Sequence, residues 1–185
     1  LASDSLSIGD TITAPEARLY TGDGTQAMNL GTDGTAGDWE LDATELARLS
    51  GVDLLRVGES GVQSGVLTAR DLAIPNPGME LILSSDSGAG SVAIDGGLDA
   101  DLTLGVSSGT GSIIFGDAAA TTYRTGGPQS YAGDIVAPTM PADQILTFSA
   151  ETFDFATGGG RTIGVTCGVF SRTPSCDQIS TGQIQ

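Results

Sequence analysis

The sequence predicts an all-β fold, a right-handed parallel β-helix (solenoid) of about 20–22 residues per coil with one short α-helix. Three observations predict it. First, the 185 residues include 28 Gly but only five Phe, three Tyr and one Trp, a composition of frequent chain reversals rather than of packed helices. Second, short apolar runs alternate: Leu81-x-Leu83, Val92-x-Ile94, Leu102-x-Leu104 and Ile113-x-Phe115 each present one apolar face. Third, the chain repeats itself without a gap. Leu81 falls on Leu102, Ser87-Gly88 on Ser108-Gly109, Gly90-Ser91 on Gly111-Ser112 and Val92-Ala93-Ile94 on Ile113-Ile114-Phe115, at an offset of 21 residues.

These elements divide one domain spanning residues 1–185. Residues 1–38, with Gly-Asp turns at Asp23 and Asp33, read as irregular strands and a cap. Residues 39–52 read as a short helix: Asp42 followed by Glu45 resembles a capping box, Leu41, Leu46 and Leu49 can share a face, and Gly51 is a stop. Coils then fill residues 53–165, with the apolar side chains inside and Gly and Ser at the corners. In this reading Trp39, Leu81, Leu83, Val92, Ile94, Leu102, Leu104, Ile113 and Phe115 build the core, and Ile94 lies against Phe115 in successive coils. The doubled Gly-Ser phrase is not a phosphate cradle, because no helix follows it.

Charge narrows the function. Asp and Glu number 23 against seven basic residues, all of them Arg, for a net charge of −16 without a single His or Lys. Such a surface repels phosphate backbones and anionic headgroups, so nucleic acid is not an expected partner. No apolar run is long enough for a membrane helix, and none follows a basic segment at the start, so the chain reads as a mature product or an excised piece. Without imidazole or ammonium groups, zinc hydrolysis and Ser-His-Asp chemistry are excluded within these residues. Any acid or base would have to be a carboxylate.

Residues 166–185 form a C-terminal loop and tail holding both cysteines, Cys167 and Cys176. Their spacing is poor for a metal site and suits a local disulfide across the Thr173-Pro174 turn, stable in an oxidising compartment; two free thiols are the alternative. Asp95, Asp99 and Asp101 are the densest carboxylates and the candidate ligands for Ca²⁺, the one cofactor considered. Solvated corners are the competing reading, since neither an EF-hand loop nor a Gly-Gly-x-Gly-x-Asp array occurs.

Trp39-x-Leu41, Thr44-Glu45-Leu46 and the strand ending Val57-Gly58, with "GGPQSYAGDIV" at Gly126 to Val136, resemble units of filamentous-haemagglutinin-like bacterial surface exoproteins. In the second motif Gln129, Tyr131 and Gly133 are in register, and Ile135 stands where Val is usual. The resemblance implies a right-handed parallel β-helix secreted by two-partner secretion or as an autotransporter passenger, working in adhesion or matrix formation at the outer surface. It also implies partners: further copies of the chain, in fibres or a biofilm matrix, or glycans and proteins of a host or neighbouring cell. The expected function is therefore non-enzymatic, with no catalytic residues. The alternative is a polysaccharide-degrading enzyme using Asp and Glu carboxylates.

Overall fold

The computed structural model describes residues 6–31, 39–72, 74, 78–116, 122–136, 147–149, 153–155 and 163–164. In chain order the elements are β1 (Thr13–Leu19), β2 (Met28–Gly31), β3 (Trp39–Asp42), α1 (Ala43–Ala47), β4 (Gly51–Val57), β5 (Leu67–Arg70), β6 (Met79–Ser85) and β7 (Val92–Asp95). They continue with β8 (Leu98–Ala100), β9 (Leu102–Phe115), β10 (Thr122–Thr125), β11 (Gln129–Val136), β12 (Thr147–Ser149), β13 (Phe153–Phe155) and β14 (Ile163–Gly164).

The fold is mostly sheet, and it corrects the predicted solenoid. Eight strands in the order β1-β4-β6-β9-β7-β5-β2-β3 form one all-parallel, strongly curled half-barrel sheet, and a parallel β-helix is not what these strands build. Strand β11 continues this sheet beside β9 and pairs with β13 and β14; β8, β10 and β12 form a separate parallel sheet. The physical reason lies in β9. Its 14 residues pair with β6 through Leu102 to Ser108 and with β7 through Ile113 to Phe115, so one strand carries the ladder around the curl. Gly111 and Ser112, expected at a corner, lie inside this strand.

Register explains why the repeat misleads. Val92 pairs with Ile113 and Ile94 with Phe115, as the 21-residue offset requires, but Leu81 pairs with Leu104 rather than Leu102. A slip of two residues keeps every side chain on its own face, so the apolar pattern does not reveal it.

The core consists of ladders across the sheet. Trp39, Met28, Leu67, Val92, Ile113 and Ile135 stack in one row, and Leu41, Leu30, Ala69, Ile94 and Phe115 in the next. A third row runs Leu19, Val57, Leu83, Val106, Tyr131 on the other arm of the curl. All of these side chains are buried, as are Leu81, Leu102 and Leu104. Each large aliphatic side chain so placed contributes about 1.5–3 kcal/mol relative to exposure.

The helix is shorter than expected. Residues 39–42, assigned to it from sequence, are strand, because the Trp39-x-Leu41 alternation pairs with Met28 and Leu30. The capping box is present: the Glu45 N–H donates to Asp42 Oδ1 at 2.8 Å and the Asp42 N–H to Glu45 Oε2 at 3.2 Å. Gly51 is not the stop; α1 closes at Arg48, and Gly51 opens β4. The helix seals the core, with Leu46 and Leu49 buried beside Ile8, whose N–H donates to Glu45 Oε1 at 2.9 Å.

Candidate functional site

Among the described residues, an open groove of about 500 Å³ runs along one flank of the curl. Four segments line it: Ser60 and Gly61 after β4, Asp86 and Gly88 after β6, Ser107 to Thr110 within β9, and Ala132 of β11. Parallel pairing stacks these segments, since Ser84 pairs with Ser107 and Ser107 with Ala132. Gly58 starts the first turn at φ 79°, where a Cβ would fall 1.9 Å from the Ser84 carbonyl oxygen. Only glycine lets the chain leave β4 this close to β6.

Asp86 organises the groove. Its carboxylate accepts from the Ser60 hydroxyl at 2.7 Å, the Gly61 N–H at 2.6 Å and the Ser107 hydroxyl at 3.4 Å. The Ser107 hydroxyl also lies 3.1 Å from Ser84 Oγ, and the exposed Thr110 hydroxyl donates to the Gly88 carbonyl at 2.9 Å. The lining is thus a row of short hydroxyls and backbone groups around one carboxylate. Such groups can exchange hydrogen bonds with a bound molecule.

Beneath the surface two polar clusters fix the loops. Buried Gln63 accepts from the Thr21 hydroxyl at 2.9 Å and donates to the Gln26 carbonyl at 2.8 Å. Gln129, also buried, accepts from the Tyr131 hydroxyl at 2.8 Å and donates to the Thr125 hydroxyl at 3.2 Å. Burial pushes the Tyr131 phenol above its ordinary range. Gln129, Tyr131, Gly133 and Ile135, the positions picked out by the family resemblance, all turn inward along β11. At Gly133 the register shifts, and a Cβ would meet Ser108 Oγ at 2.0 Å.

Two of the three predicted metal ligands, Asp95 and Asp101, have described side chains. Asp95 accepts from the Arg70 guanidinium at 3.1 Å, Asp101 is exposed, and the Asp99 side chain lies outside the described residues, although its backbone is in β8. Among the described residues no three His, Cys, Asp or Glu side chains form a metal-holding group. Asp23 closes a turn, and the Thr25 and Gln26 N–H groups lower its carboxyl below the usual range. Asp33, Cys167 and Cys176 lie outside the described residues. Trp39, Leu81, Leu83, Val92, Ile94, Leu102, Leu104, Ile113 and Phe115 are all buried, as a core requires.

Sequence reasoning missed Ser60, Asp86, Ser107 and Thr110. Ser60 and Asp86 lie in two separate turns and Ser107 and Thr110 in β9, so no local spacing joins them; the weak signal is Asp86 directly after Ser84-Ser85 at the end of a strand. Among the described residues no helix is long and apolar enough to cross a membrane. Compared with known proteins, the chain matches no family model, no curated protein and no solved structure, so the groove's own chemistry carries the functional reading.

Proposed function

We propose that the chain is a non-enzymatic extracellular protein of structural or adhesive type, which displays a stiff parallel sheet and contacts neutral, hydroxyl-rich glycan through the groove around Asp86. The observation that carries this reading is the groove's lining of short hydroxyls and backbone groups on a rigid ladder. Such groups exchange hydrogen bonds with sugar hydroxyls at little entropic cost, because β9 holds Ser107 and Thr110 and the Asp86 carboxylate ties down the Ser60-Gly61 turn. The net charge of −16 favours neutral glycan over anionic polymers. The resemblance to filamentous-haemagglutinin-like exoproteins supports an outer-surface location.

A bulky cation in the groove tests this. Thr110→Arg fills the open rim without touching a core residue, since Thr110 is exposed. Retention on a surface coated with a neutral polysaccharide is expected to fall at least about tenfold, the loss of two or more net hydrogen bonds. Unchanged retention, with the wild-type protein binding, would remove the groove from the account.

A further inference from the structure

We infer that the groove around Asp86 selects its ligand by hydrogen-bond donors, and that its preferred occupant is a short amino-sugar chain with one protonated amine seated against the Asp86 carboxylate. The inference rests on the glycan-binding reading proposed above and adds a specificity to it.

The side-chain protons of the groove are already committed within the protein. Each hydroxyl carries one proton and two lone pairs. Ser60 donates to Asp86 Oδ2 at 2.7 Å, Ser108 to the Gly111 carbonyl at 3.2 Å and Thr110 to the Gly88 carbonyl at 2.9 Å. Ser107 has Ser84 Oγ and Asp86 Oδ2 as its acceptors, at 3.1 and 3.4 Å. Three backbone donors of the lining are occupied as well: the Gly61 N–H by Asp86 Oδ1 at 2.6 Å, the Gly109 N–H by the Gly90 carbonyl at 3.0 Å and the Thr110 N–H by the Gly88 carbonyl at 2.7 Å. What these side chains offer a ligand is therefore lone pairs. A ligand pairs with them by donating.

Charge sharpens the choice. Asp86 accepts from Ser60, Gly61 and Ser107, all neutral donors, and a carboxylate has about four acceptor sites. Among the described residues no basic side chain lines the groove. An ammonium group brings three donors and the missing positive charge, whereas a sugar hydroxyl brings one donor and no charge. The net charge of −16 draws the same ligand toward the protein.

The shape suits a chain laid across the strands. Between paired strands the corners 58–66, 84–91, 107–112 and 132–134 are each shorter than the one before, so the stack descends as a stair from the Ser60 turn to Ala132. Its steps are about 4.8 Å apart, the spacing of neighbouring strands. Sugars of an extended β-1,4-linked chain follow one another at a similar distance, so a trimer reaches from Asp86 past Ser107 to Ala132.

Isothermal titration calorimetry of the whole chain tests this with β-1,4-linked trimers of glucosamine, glucose and N-acetylglucosamine, at a pH where the amine is protonated. The glucosamine trimer is expected to bind at least about tenfold more tightly than either of the others, the difference made by one charged hydrogen bond. Variants matched in charge separate the groove from diffuse attraction to an acidic protein. Asp86→Asn should bring the glucosamine trimer down to the affinity of the glucose trimer. Asp53→Asn, which removes one exposed charge from β4, should keep the preference. The comparison among trimers is made on the wild-type chain, so it stands whatever Asp86→Asn does to the turn. Equal affinities for the glucosamine and N-acetylglucosamine trimers, or a preference that both variants weaken alike, would overturn the inference. Its failure leaves retention on neutral polysaccharide untouched, because that retention is read on a different ligand and a different variant, Thr110→Arg.

Discussion

Phe115→Ala is expected to destabilise the fold by about 3–5 kcal/mol, the cost of removing a buried aromatic side chain from a site that cannot collapse. Phe115 is fully buried at the end of the Leu41-Leu30-Ala69-Ile94 row. Its ring meets Tyr123 edge-on at 4.6 Å and Tyr131 at 5.8 Å. Both tyrosines are tied down, Tyr123 donating to the Ile94 carbonyl at 3.3 Å and Tyr131 to Gln129 at 2.8 Å, so neither ring can swing into the space. Urea unfolding should show a large fall in midpoint with an unchanged slope. Ile114→Ala, one residue away on the outward face and half-buried, should cost far less. Equal losses at the two positions would mean that Phe115 does not face the core.

Gln63→Leu should cost about 2–4 kcal/mol although it conserves volume. It strands the buried Thr21 hydroxyl, at about 1–3 kcal/mol, and takes one hydrogen bond from the half-buried Gln26 carbonyl, at a smaller cost. This glutamine joins the loop after β1 to the loop after β4, and the Ser87 N–H donates to its backbone carbonyl at 3.0 Å. The same residue therefore braces the turn that presents Ser60 to the groove. Adding Thr21→Val removes the stranded hydroxyl, so the double variant should be more stable than the sum of the single losses predicts. Strict additivity in a double-mutant cycle would contradict the buried pair.

What was legible in the sequence follows from these contacts. Alternation placed Leu81, Leu83, Val92 and Ile94 indoors correctly, because burial on one face of a strand writes a period of two. The Asp42–Glu45 capping box was legible because it is local. The curl was not. Whether a Gly-Ser pair turns a corner or continues a strand depends on the neighbouring ladder, and here β9 resumes pairing at Ser112 with β11 and at Ile113 with β7, after a register shift that leaves Ser108 to Gly111 unmatched in β11. Helix and strand were confused at Trp39 and Leu41, where a spacing of two suits a strand whose partner, β2, carries only Met28 and Leu30 as an apolar signal. Gln63 and Gln129 were invisible as core residues because polarity argues against burial until their partners are known. The groove shares that limit: two turns and two strands contribute one or a few small residues each, and only the stacking brings Ser60, Asp86 and Ser107 together.

Recognition without turnover is checked by holding the protein with neutral polysaccharide and measuring retained glycan and newly formed reducing ends in the same sample. Retention is expected to fall when the groove is filled, with no reducing ends above the protein-free control. Reducing ends that accumulate with time and disappear on Asp86→Asn would contradict it, because the carboxylate would then be acting on the glycosidic bond rather than bracing the groove.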